Sequence, residues 1–229
     1  MTNNVAVVTG VGSGLGLELG LRLAQEYSVV GVSRRMPTDP RWSRTAAQGS
    51  VEHLAGDVSR STTAAMVFER ASALGQLRLL VNCAGQGVFG PAGSYTASDV
   101  EDVLRGNLVG TILFSEAAFN YMRTSGGGLI VNVMSTAAQV GRVNEAIYCA
   151  SKWGARGYTE SLRLEAKGTP VNVIAVYPGG MKTRFWQEAK GAKVDSSNFM
   201  PPEEVAESIL DAIRARLGMY VSDVTINRK

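Results

Sequence analysis

The sequence predicts an α/β fold, a doubly wound parallel sheet of about seven strands with helices on both faces. Three observations carry this expectation. Short, continuous apolar runs, such as residues 5–9 and 76–82, suit strands buried on both sides. These runs alternate with segments of helical length and pattern, which is the signature of a parallel sheet with crossover helices. The first run passes through a glycine-rich turn directly into a helix. At 229 residues the chain is long enough for one sizeable core and short for two, so a single dinucleotide-binding domain over residues 1–229 is expected.

Composition narrows the function. Hydrophobic residues make up 45% and charged residues 19%, an ordinary balance for a folded chain. The net charge of +3 is mild and, apart from one cluster, the basic residues are scattered, so nucleic acid is not an expected partner. Cys83 and Cys149 have no spacing that suggests a metal site or a disulfide framework, and reduced thiols fit the cytosol. No secretory leader pattern and no long apolar run are present, so a cytoplasmic protein without a membrane partner is expected. His53 is the only histidine; it reads as a structural residue of a strand, and no metal is expected.

Taken in order, residues 5–9 meet Gly10-Val-Gly-Ser-Gly14-Leu-Gly16, and Leu17, Leu19, Leu21 and Leu23 follow among Glu18, Arg22 and Glu26. Strand, glycine turn and helix together aim backbone N–H groups and the positive helix end at a phosphate. With Thr9 ahead of it, the turn reads as a dinucleotide site. The second strand, 28–33, ends where the adenosine ribose lies in such a fold. An acid there would hold a 2′-hydroxyl, but the chain has Ser33-Arg34-Arg35, and a guanidinium suits a 2′-phosphate. Arg34 is therefore assigned to NADP(H). Arg35, Arg41 and Arg44 are either further phosphate contacts or a solvated basic loop broken by Pro37 and Pro40.

A third strand lies within 51–58 and a helix over 61–74. The fourth strand stops at Asn82-Cys-Ala-Gly85, where small residues permit close approach of a flat ring or sugar. Residues 96–122 are long enough for a helix containing Asn107, a polar residue among apolar ones that either bends the helix or serves a water network. Gly126-Gly-Gly128 turns the chain into the strand that delivers Ser135. Thirteen residues on, Tyr148 opens a helix to about 167, placing Lys152 one turn away on the same face. Such a pair is either an ordinary surface pair or a reaction centre. In the second case the cation favours the phenolate, so the phenol exchanges a proton near neutrality while the Ser135 hydroxyl steadies the reacting oxygen. The sixth strand, 171–177, ends at Pro178-Gly179-Gly180. The irregular segment at about 183–200 is placed to cover the reacting carbonyl. Phe185 and Trp186, with Phe89, either form an apolar pocket with Arg184 at its edge or only pack the segment down. Residues 202–217 predict a helix, with Val205, Ile209, Ile213 and Leu217 on one face, acids first and Arg214 and Arg216 late. A last strand is expected over 220–226.

These motifs resemble, in order and spacing, those of the single-domain short-chain dehydrogenases/reductases. The matching residues are Thr9-Gly10-x-x-x-Gly14-x-Gly16, Asp57, Asn82-x-Ala84-Gly85, Asn107, Ser135, Tyr148-x-x-x-Lys152, and Pro178-Gly179 with Thr183. The resemblance implies a Rossmann fold and an NADP(H)-dependent oxidoreductase that moves a hydride between nicotinamide and a small carbonyl or alcohol substrate. It makes Tyr148 the acid/base, with Ser135 orienting the substrate oxygen. Lys152 lowers the tyrosine pKa and holds the nicotinamide ribose, and Asn107 anchors a relay water. Asp57 meets the adenine and Thr183 the carboxamide, while Ser13, Leu15, Val58 and Met181 complete the cofactor contacts. A homodimer or homotetramer is also implied. Two departures are visible: Cys83 stands where the family often has Asn, and the stretch between the second and third strands is short for a full helix, which opens the adenosine side. The alternative is a non-catalytic NADP-binding sensor or scaffold of the same fold. Such proteins typically lack the Tyr or the Lys, and this chain has both.

Overall fold

The computed structural model describes residues 3–214 and 218–229; Arg216 and Leu217 lie outside the described residues. The chain runs β1 (Asn4–Thr9), α1 (Gly14–Leu23), β2 (Ser28–Ser33), α2 (Pro40–Ala47), β3 (Val51–Ala55), α3 (Ser61–Leu74) and β4 (Gln76–Asn82). It continues with α4 (Ala97–Leu104), a π-helical turn (Arg105–Val109), α5 (Gly110–Met122), β5 (Gly128–Val133), a 3₁₀ turn (Thr136–Ala138), α6 (Ala146–Glu165) and β6 (Val171–Pro178). The short α7 (Phe185–Glu188), α8 (Pro202–Ile213) and β7 (Asp223–Ile226) follow. All seven strands pair in parallel, in the order β3-β2-β1-β4-β5-β6-β7. The order reverses between β1 and β4, so the loops leaving these neighbours diverge and open a crevice beyond their carboxyl ends.

Strand periodicity divides the core. Successive side chains of β1 point to opposite faces. Val5 and Val7 join Val67, Phe68, Phe114, Met122 and Leu162 from α3, α5 and α6. Ala6 and Val8 join Leu19, Leu23, Trp42, Val205 and Ile209 from α1, α2 and α8. One charge lies in this second layer. Glu18 on α1 is 2% exposed, and a buried carboxylate is costly unless paired. It pairs with Arg22 one turn on and with Arg41, which also grips Asp39. Arg41 is thus engaged in holding α2 against α1 and does not line the crevice.

Two sequence expectations are corrected. The stretch between β2 and β3 does form a helix, α2. Asp39 caps it by accepting a hydrogen bond from the Arg41 N–H, Pro40 occupies its first turn, and buried Trp42 packs against Gly20 and Gly31. The prolines read as breakers; Pro40 instead starts the helix. The last strand begins at Asp223, because only residues 223–226 pair with β6. No helix of the described residues is long and apolar enough to cross a membrane. Among those residues no cluster of His, Cys, Asp or Glu has the makings of a metal site.

Candidate active site

Ser135 is delivered by the end of β5, where Met134 N–H donates to the Val176 carbonyl of β6 at 2.8 Å. Its hydroxyl caps the 3₁₀ turn, accepting from the Ala137 N–H at 3.1 Å. Tyr148 and Lys152 stand one turn apart near the start of α6, 9% and 5% exposed, and not on a surface face. All three line a cavity of about 870 Å³ at the strand ends. Lys152 Nζ donates to the Val133 carbonyl at 3.4 Å and lies 5.9 Å from the centroid of the Tyr148 ring.

Asn107 is brought to this group by the π turn, which widens the helix at the residue that sequence reading left open. Its amide oxygen accepts from the Gln86 N–H at 2.8 Å. Its nitrogen donates to the Gln86 carbonyl and to Ser151 Oγ, both at 2.9 Å. Ser151 in turn donates to the Tyr148 carbonyl at 2.7 Å. Asn107 thus ties the loop after β4 to the first turn of α6, and every polar atom of its amide is engaged by protein. Its side chain does not line the cavity.

Burial dominates the electrostatics. It raises the Tyr148 phenol above its ordinary range, opposed by hydrogen bonding to Ser135 and by the charge of Arg142, and reinforced by Glu145 and Cys149. The same burial draws Lys152 down to about 8, and the neighbouring Cys83 thiol is pushed up to about 12. The expected phenol titrating near neutrality is therefore not met in this structure. Desolvation outweighs the hydrogen bond, and the ammonium meant to offset it is itself destabilised by burial.

Most of the residues assigned to a cofactor converge on two neighbouring cavities. The smaller, about 360 Å³, is lined by Gly10, Ser13, Ser33, Arg34, Arg35, Asp57, Val58, Ala84 and Gly85. The larger carries Gly14, Leu15, Gly16, Pro178, Gly179, Met181 and Thr183. A Cβ at Gly10, whose φ is 79°, would lie 2.8 Å from the Ala84 Cα, so only glycine lets β1 and the loop after β4 approach this closely. Ser13 makes no side-chain cap to α1, and the first turn carries no acid. A helix start thus faces the cavity with uncapped donors, as an anionic phosphate requires. Arg34 is exposed and makes only a 3.4 Å contact to Gln86. Asp57 is raised by burial, but hydrogen bonds from Ser59 and the charges of Arg34 and Arg60 bring it net below the usual range, so it stays ionised. The donor set fits a dinucleotide. Two assigned residues act from behind. Thr9 Oγ1 accepts from the Cys83 and Ala84 N–H groups at 3.0 Å, and buried Asn82 bonds Asn132 and Ser115. Arg35 pairs with Glu188, and Arg44 lies on the exposed side of α2.

On the reaction side an aromatic group closes around Tyr148. Phe89 lies 5.6 Å from Tyr148 and stacks on Trp186 at 5.6 Å, while Phe185 is 5.7 Å from Tyr148 and Phe199 is 5.4 Å from Trp186. Phe185 and Trp186 both pack and line the cavity; Phe89 only backs them. Arg184 is a correction, because it lines the smaller cavity beside Arg34 and Glu188. Arg184 precedes the single turn of α7, and Phe185 and Trp186 on that turn line the reaction cavity. The covering segment is tied down by a bridge between Val88 and Lys190 and by Lys190 Nζ bonding Asp99 at 2.7 and 2.8 Å. Sequence reading missed Lys190, Asp99 and Arg142. The position of Arg142 between Ser135 and Tyr148 was the available signal for it.

Comparison with known proteins agrees with this fold. The family model described as short chain dehydrogenase matches residues 4–193. Human 17-beta-hydroxysteroid dehydrogenase type 1 is 31% identical, over 94% of this chain and 75% of that protein. A crystal structure of a short-chain dehydrogenase/reductase from Vibrio parahaemolyticus is 32% identical, with a TM-score of 0.82 over 98% of this chain and 100% of that one. The closed form of a serine dehydrogenase complexed with NADP+ shares the fold at 21% identity, with a TM-score of 0.87 over 97% and 94% of the two chains. The chain belongs to the short-chain dehydrogenase/reductase family, whose members are oxidoreductases acting on CH–OH and C=O groups.

Proposed function

We propose that this protein is an NADP(H)-dependent carbonyl reductase or alcohol dehydrogenase with Tyr148 as its acid/base. The observation that carries the reading is the convergence of Ser135, Tyr148 and Lys152 on one cavity beside a cofactor-sized crevice. The nicotinamide supplies or accepts the hydride. Tyr148 Oη gives its proton to the carbonyl oxygen, burial keeping that proton in place beforehand. Ser135 orients the same oxygen. Lys152 stabilises the phenolate left behind, and Asn107 fixes α6 through Ser151. Phe185 and Trp186 exclude water from the reacting atoms. A panel of ketones and aldehydes with NADPH and NADH, followed at the nicotinamide absorbance, tests the reading. Saturable NADPH binding without turnover of any of them would instead favour a sensor or scaffold.

Cofactor choice is a separate expectation. Arg34, directly after a β2 that ends in Ser33 rather than an acid, supports NADP(H) over NAD(H) by roughly ten- to hundredfold, the worth of a charge-assisted contact. Arg34→Ala should erase most of that preference in measured dissociation constants. Equal binding of both cofactors by the wild type at moderate salt would remove the assignment.

Trp186 supports the covering segment as well as the pocket, since its Nε1 donates to the Met181 carbonyl at 3.0 Å. Trp186→Ala should therefore lower the melting temperature and also reduce kcat/KM by a factor that grows with substrate size. Equal loss on a small and a bulky ketone would assign it to packing alone.

A further inference from the structure

The substrate can be specified further from a cation that sequence reading did not assign, an inference that rests on the oxidoreductase reading above. Arg142 lies in the loop between Ser135 and Tyr148 and lines the same cavity as both. Its guanidinium is steadied from one side, Nη2 donating to Thr136 Oγ1 at 2.7 Å. Arg142 is absent from the ion pairs among the described residues. The rest of its planar N–H fork is therefore uncommitted, at a point close enough for its charge to be felt at the phenol. Glu145 lines the same cavity; burial raises its pKa, and the charge of Arg142 acts against that rise, so the guanidinium is close enough to Glu145 to be felt there. The other wall is aromatic, made by Phe185, Trp186 and Phe199.

An apolar wall facing a half-occupied guanidinium matches a molecule with an apolar body and a flat, two-oxygen anion. A carboxylate meets such a fork edge-on through two parallel hydrogen bonds, which a hydroxyl or an ester cannot do. We propose that this site takes carbonyl compounds carrying both an apolar body and a carboxylate, that is aryl or alkyl oxo acids and the corresponding hydroxy acids. Arg142 holds the carboxylate while Ser135 and Tyr148 engage the carbonyl. The role that sequence reading gave to Arg184 falls to Arg142.

Two matched pairs of probes test this: benzoylformate with its methyl ester, and 4-acetylbenzoate with its methyl ester. Each pair keeps ring and carbonyl and removes the charge, at two different distances from the carbonyl. The readouts are kcat/KM with NADPH and calorimetric affinity for the protein saturated with NADP+, where a ketone cannot be reduced. In at least one pair the acid should be favoured roughly ten- to hundredfold in both readouts. Arg142→Gln, which removes the charge and keeps a polar side chain, should lower the acid's values by that factor and the ester's far less. Arg142→Lys should restore part of the loss. Equal values for acid and ester in both pairs, or equal losses for both in Arg142→Gln, would overturn the inference while leaving the oxidoreductase reading in place. Acid-selective, Arg142-dependent binding without turnover of any probe would uphold the anion site and overturn the oxidoreductase reading instead.

Discussion

Tyr148→Phe should lower kcat for carbonyl reduction by ~10²–10⁴-fold while leaving NADP(H) affinity nearly unchanged. The substitution removes one oxygen and keeps the ring, so the contacts to Phe89 at 5.6 Å and Phe185 at 5.7 Å survive. What is lost is the proposed proton donor. Neither the less acidic Ser135 hydroxyl nor the Cys83 thiol, pushed up to about 12, duplicates it. Burial keeps the phenol protonated across the working pH range, which arms it for reduction. In the oxidative direction the same burial opposes proton removal, so the alkaline side should be favoured there. A variant that retained a tenth or more of the wild-type kcat would remove Tyr148 from the chemistry.

Most of the sheet was legible because β1, β2, β4, β5 and β6 are largely apolar runs bounded by glycine and polar turns, as strands buried on both faces require. β2, α3 and β4 have the bounds that their sequences predict. α2 was obscured because proline marks both a break and a first helical turn, and what distinguishes them here is tertiary: Trp42 seated against two glycines. The convergence of Ser135, Tyr148 and Lys152 was legible from spacing, since one strand end and one helical turn suffice to define it. The widened turn at Asn107 was not, because a single five-residue turn is too short to establish a hydrophobic period of its own. Side-chain direction in the covering segment was equally hidden. Arg184 and Phe185 are neighbours in sequence, yet only Phe185 lines the reaction cavity. Nor did the sequence reveal how far burial would govern the titration of Tyr148 and Lys152, which depends on how much low-dielectric protein surrounds each charge.

Lys152→Met should abolish turnover and yet stabilise the fold at neutral pH. Burial lowers the Lys152 pKa from its ordinary 10.5 to about 8, so at pH 7 the folded chain carries a charge that the unfolded chain holds at less cost. Between pH ~8 and ~10.5 the unfolded state binds more protons than the folded state, and the stability contribution of this group rises with pH across that window. Below the window both states are protonated and the full penalty remains. The fall in pKa caps that penalty at roughly 3 kcal/mol, and relaxation around the site makes a gain on the order of 1–3 kcal/mol the realistic expectation. Methionine fills nearly the same volume without a charge, forfeiting only the 3.4 Å bond to the Val133 carbonyl. The melting temperature at pH 7 should therefore increase by several degrees, with the difference from wild type shrinking toward pH ~10. Turnover should fall by ~10²-fold or more, because the ammonium proposed to stabilise the phenolate left on Tyr148 is gone. For the same reason the wild-type reductive rate should decline above pH ~8 as Lys152 loses its proton. A melting temperature that drops at pH 7, or a stability gain that persists undiminished at pH 10, would show that Lys152 is not held as a penalised buried charge.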